Sequence, residues 1–261
     1  MRGLNGWEDY PCNLRTEYPQ YDLEYCRRRL NDDAKRLFSD TGCNIIVQTI
    51  LGSTSSNCES ACKRTSIKDL VKDEESLEQT LDKHLSKPGS HFIILQQPYS
   101  WAPFDVPKEV VFKLFTALEV PPTFLGLVHV FGHPEDGYQR EFTGGYDIRF
   151  GILNDDFQLL YTIRYMARTG RESWPWSERR VGIYYKIAND SETWLILQHM
   201  SFLRSLTGMR AGEELDCGRL TGSGTIARHV ALIESTSRRW NDYLKLIEAQ
   251  VRRDVRRELP I

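Results

Sequence analysis

Residues 147–198 limit the possible folds more than any other stretch, because two runs there repeat with a period of two and a third run of strand length follows them. Leu159, Tyr161, Ile163 and Tyr165 alternate with Leu160, Thr162, Arg164 and Met166, the pattern of a strand whose faces meet different surroundings. Val181, Ile183, Tyr185 and Ile187 alternate with Gly182, Tyr184 and Lys186, and Thr193 to Gln198 follows with Trp194, Leu195, Ile196 and Leu197. Asn154-Asp155-Asp156 and Asn189-Asp190 separate these runs. Short amide and carboxylate side chains tolerate left-handed backbone, so both are read as turns, and the block as an antiparallel meander.

Helices and further strands surround that block. Leu23, Cys26, Leu30, Ala34 and Leu37 recur three or four apart between Tyr21 and Phe38, predicting one amphipathic helix that ends at Gly42. Cys43 to Leu51 is short, β-branched and bounded by Gly52, and is expected to join the sheet. Leu77, Leu81 and Leu85 predict a helix stopped by Pro88-Gly89, and His91 to Gln97 a strand buried on both faces. Asp105 and Pro107 start a helix that ends at Pro121-Pro122, where a second short one opens. The predicted class is α+β: a mainly antiparallel sheet flanked by helices, followed by a long C-terminal stalk-like helix. The expected division is a domain over 1–208, a glycine-rich linker over 209–224 and a helix over 225–258.

Within that last helix Ile226, Val230, Ile233, Ser237, Trp240, Leu244, Ile247 and Val251 step by four and three, a heptad seam flanked by arginines. Such a stripe calls for a partner, either the domain surface or another copy of the chain, and the expected assembly is a homo-oligomer.

Composition narrows the functional classes. A formal net charge of -2 gives no global attraction to nucleic acid, and none is expected as a partner. Met1 to Trp7 lacks the apolar run of a signal peptide, and no eighteen consecutive residues are apolar, so a cytoplasmic location and reduced cysteines are expected.

No cluster of residues points to catalysis. His129 and His133 are four apart, but Gly132 and Pro134 break the helix there and no metalloprotease glutamate accompanies them, so no metal site is assigned. Cys58 and Cys62 lack the second pair of a zinc module. Gly144-Gly145 and Gly222-Ser223-Gly224 lack the spacing and lysine of a phosphate loop, and Asp155 and Asp156 are adjacent turn residues facing different ways. No cofactor is called for.

The loop 168–180 carries the densest chemistry: Arg168, Arg171, Arg179 and Arg180 around Trp174 and Trp176, with Glu172 and Glu178 as counter-charges. Exposed, these six arginines and tryptophans form a surface for a protein or anionic ligand. Buried, they form an aromatic plug with arginines lying over the indoles. The plug is favoured because Trp-Pro-Trp leaves too much apolar area in water otherwise.

Pro98-Tyr99-Ser100-Trp101-Ala102-Pro103, Tyr161 to Tyr165 through Trp174-Pro175-Trp176-Ser177, Thr193 to Gln198, and Arg239-Trp240-Asn241-Asp242-Tyr243-Leu244 together resemble the cytosolic region of fungal CorA-like metal-ion transporters, most strongly from Tyr99 to Leu244. The resemblance implies a soluble domain, a long helix leading toward the membrane, and a transmembrane region whose Gly-Met-Asn motif shapes a pore for a divalent cation such as magnesium. Gly208-Met209 is followed by Arg210 and is not that motif, so any transmembrane partner would lie past Ile261. The implied role is non-enzymatic: assembly and gating in a transporter. The alternative is a stand-alone interaction module working through the 168–180 loop.

Overall fold

A computed structural model describes residues 5–14, 18–51, 66–133, 146–150, 157–173, 175–188, 191–199 and 225–258. The chain divides into two compact units, one formed by 1–162 with 181–198 and the other by 163–180 with 199–261.

The element order is α1 (Gln20–Asp32), α2 (Ala34–Leu37), β1 (Ile45–Leu51), β2 (Ser66–Val71), α3 (Glu74–Leu85), β3 (Gly89–Gln97), α4 (Lys108–Leu118), α5 (Pro122–Val128), β4 (Tyr146–Phe150), β5 (Phe157–Arg168), β6 (Trp176–Ala188), β7 (Ser191–His199) and α6 (Thr225–Glu258). The strands form one seven-stranded sheet in the order β2-β1-β3-β7-β6-β5-β4. The class is α+β, as predicted, and the last four strands make the expected meander. Its hairpin β6–β7 runs from Val181↔Gln198 to Ala188↔Ser191. Where the two halves of the sheet join, Ser90 meets Glu192 and Phe92 stacks on Trp194. These contacts step the same way along both strands, so β3 and β7 run parallel.

The helices of the first unit build a core on one sheet face. Ile45, Val47, Ile93, Leu95, Tyr184, Leu195 and Leu197 meet Leu77, Val111, Phe115, Phe124 and Phe131 there, all essentially buried. Tyr10 inserts between Phe112 and Phe115 and donates its hydroxyl hydrogen to the Val120 carbonyl at 2.9 Å. On the other face a row of rings crosses four strands: Phe92 on Trp194, Trp194 on Tyr185, Tyr185 on Phe157. Cross-strand aromatic pairs of this kind fix register as well as contributing area.

Three expectations need correction. The helix predicted over 21–38 is two helices, because Asp33 leaves the regular spiral at φ -83°, ψ -3° and commits its carboxylate elsewhere. Sequence reading gives no strand at edge strand β2: Asp69 stands on the same face as Ile67 and Val71 and interrupts their apolar alternation, and its carboxylate meets Lys83 and His84 of α3. The loop expected over 168–180 is shorter, since β6 begins at Trp176 and makes Trp176, Arg179 and Arg180 strand residues. The turns at 154–156 and 189–190, the glycine pairs at 144–145 and 222–224, Cys58, Cys62 and the linker 209–224 lie outside the described residues.

Candidate functional site

In the second unit, helix α6 and the tip of the β5–β6 hairpin form a connected cluster. Even-numbered residues of both strands share one sheet face there. Arg164 pairs with Glu178 across the hairpin, and Arg180 reaches the other carboxylate oxygen at 3.4 Å. The Arg168 guanidinium sits 5.3 Å over the Trp176 ring. Trp176 in turn meets Tyr243 edge-on at 6.0 Å, and Tyr243 meets Trp240 edge-on at 6.0 Å. The Trp240 indole N–H donates to the Arg164 backbone carbonyl at 3.0 Å. That carbonyl lies beyond Tyr146↔Tyr161, where the described pairing of β4 with β5 ends.

The predicted interaction residues therefore separate. Trp176, Arg179 and Arg180 are half-buried, and burial lowers the pKa of both arginines. Arg168 and Arg171 are exposed, and Trp174 lies outside the described residues.

The heptad residues of α6 divide differently. Ile226, Val230, Ile233, Leu244, Ile247 and Val251 are exposed at 77%, 54%, 52%, 55%, 37% and 54%, and Val255 extends the stripe at 51%. Trp240 instead turns to the hairpin. Leu232 and Thr236 are buried on the adjacent arc of the helix.

The first unit holds two buried polar networks that sequence reading missed. Thr49 on β1, His91 on β3, His84 on α3 and Asp69 on β2 form the first. Asp69 Oδ2 takes the His84 Nε2 hydrogen at 2.8 Å, which leaves His84 Nδ1 to accept from the Thr49 hydroxyl at 2.7 Å. Thr49 Oγ1 then accepts from His91 Nδ1 at 3.0 Å. Lys83, and after it His84, holds the Asp69 carboxyl below the ordinary carboxylate range. Burial, aided by His84, pushes His91 down to about 4. The connectivity Thr49–His84–Asp69 resembles a hydrolase triad, but Thr49 and His84 are both 0% exposed in the core of the fold. A substrate has no access to that hydroxyl, and the network ties four elements together.

In the second network, Asp33 Oδ2 accepts from His129 Nδ1 at 2.6 Å and from Arg36 Nη2 at 2.9 Å. Burial draws the Asp33 carboxyl upward, but Arg36 and His129 outweigh it and hold the group ionised. Burial pushes His129 down to about 4. Arg36 also donates to the carbonyls of His129 and Phe131. His129 and His133 therefore do not share a site: one is a buried partner of Asp33, the other is exposed past the end of α5. Among the described residues no three His, Cys, Asp or Glu side chains are grouped to hold a metal ion.

Among the described residues, no helix is long and apolar enough to cross a membrane. Comparison with curated proteins gives no match. Comparison with protein families matches residues 2–146 to the CorA-like transporters. Of the segments that carried the resemblance, only Pro98 to Pro103 lies wholly inside that match. Because the match covers more than half of the 261 residues, the chain belongs to the CorA-like transporter family.

Proposed function

We propose that this chain is a non-catalytic assembly and gating domain of a CorA-like divalent metal-ion transporter, self-associating through the exposed stripe of α6. The observation that carries this reading is the run of seven apolar side chains from Ile226 to Val255, each more than a third exposed. At 1.5 Å per residue the stripe is about 44 Å long. It is only two side chains wide and is bordered by charge, including the ion pairs Arg238–Glu234 and Arg252–Glu248. A second copy of the same helix is the natural complement of so narrow and straight a stripe.

In this reading the sheet is a rigid platform and the helix carries changes in subunit packing, with magnesium or a related cation as cargo. Light scattering over a range of concentrations, with and without magnesium chloride, tests it. The expected result is a multimer that Leu244→Asp with Val251→Asp reduces to a folded monomer. A wild-type chain that stays monomeric at every concentration and metal level overturns it.

The exposure of Arg168 and Arg171 favours a second reading, an interaction module for an anionic ligand or acidic protein surface. Arg171→Glu distinguishes the two, since it should weaken such binding and leave assembly through α6 intact.

A further inference from the structure

We infer that Trp240 is a two-position switch between the β5–β6 hairpin and the assembly stripe, an inference that rests on the self-association reading above. The heptad that runs through Ile226, Val230, Ile233, Leu244, Ile247 and Val251 assigns Trp240 to the same line, seven residues after Ile233 and seven before Ile247. In the single chain that position is already occupied. The Trp240 N–H is bound to the Arg164 carbonyl at 3.0 Å, and its ring is held edge-on by Tyr243, which is itself held by Trp176. The exposed stripe is therefore interrupted at its midpoint, with Ile226, Val230 and Ile233 on one side and Leu244, Ile247, Val251 and Val255 on the other.

One indole cannot serve both partners. A continuous seam between copies needs the Trp240 ring at the helix–helix interface, and the ring can reach it only by giving up the Arg164 carbonyl. Assembly along the whole seam then releases the hairpin tip, and the hairpin, when closed on Trp240, opposes assembly. This gives the element two discrete arrangements, each favoured by a different set of contacts, as a coupling device requires. Residues 163–168 and 176–180 are the ends of strands β5 and β6, so the change at α6 acts directly on two strands of the sheet.

Trp240→Phe tests the switch. It keeps an aromatic ring for the seam but has no N–H for Arg164. The expected result is self-association tightened by roughly three- to tenfold, the equivalent of one neutral hydrogen bond. Amide exchange in residues 163–180 should be faster in the wild-type multimer than in the wild-type monomer. Tyr243→Leu, which removes the ring between Trp240 and Trp176, should tighten association in the same direction and guards against a misfolded first variant. Circular dichroism confirms the fold of each, and Leu244→Asp confirms that association uses the stripe. Equal or weaker association of both variants, or unchanged exchange in the hairpin, overturns the switch and leaves assembly standing. If no form associates at any concentration, the assembly reading falls and the switch falls with it.

Discussion

His129 Nδ1 lies 2.6 Å from Asp33 Oδ2, and this contact joins the end of α5 to the break between α1 and α2. The same oxygen takes Arg36, whose side chain is only 5% exposed. Removing the carboxylate leaves a buried guanidinium without its counter-charge, so Asp33→Ala should lower stability by about 3–5 kcal/mol. Urea denaturation measures this, and a loss under 1 kcal/mol would show that the triad is peripheral.

Acid should weaken the first unit well before its carboxylates titrate. His91 and His129 are each pushed down to about 4 when folded, against an unfolded value near 6.5. Between those values the unfolded chain binds protons that the folded chain refuses, so stability falls as pH drops from about 6.5 to about 4. Each imidazole accounts for up to ~3 kcal/mol of that fall. His91→Leu should remove the share of one imidazole, which unfolding curves at several pH values will show as a shallower slope.

Glu119 ends α4 in the left-handed region at φ 53°, where a side chain is strained, and it pairs with Lys186 at 3.2 Å. Glu119→Gly relieves about 1–2 kcal/mol of strain and gives up a part-buried ion pair of about 1 kcal/mol. A gain of about 0.5 kcal/mol in thermal unfolding is expected. Glu119→Ala keeps the strain and loses the pair, so it should be destabilising; equal effects of the two would refute the strain argument.

Gly132 has φ 76°, and a Cβ there would stand 2.3 Å from the Arg36 carbonyl oxygen. Gly132→Ala should therefore cost at least about 2 kcal/mol and disturb the Arg36 network with it. A near-neutral midpoint in denaturant would mean that the Arg36 backbone yields easily.

Elements with an unbroken period were legible in the sequence. The alternation from Leu159 to Met166 became β5, and the four-and-three steps from Ile226 became α6. What escaped depends on partners far apart in the chain. Leu30, Ala34 and Leu37 keep helical spacing across Asp33, and only His129, 96 residues on, shows why the helix breaks there. Thr49 meets histidines 35 and 42 residues away, and nothing in the local pattern marks any of the three as neighbours. The heptad spacing puts Trp240 in line with Ile233 and Ile247, but nothing in that spacing marks its hydrogen bond to Arg164, 76 residues earlier.

The second unit takes residues 163–180 from inside the stretch that builds the first. The polypeptide leaves one folding neighbourhood at Thr162, returns at Val181, and leaves for good after Gln198. No single cut therefore yields both pieces intact: a truncation ahead of α6 strands the hairpin without its helix, and an isolated α6 lacks the carbonyl that holds Trp240. Any evolutionary exchange of this helix between relatives must carry the hairpin tip with it.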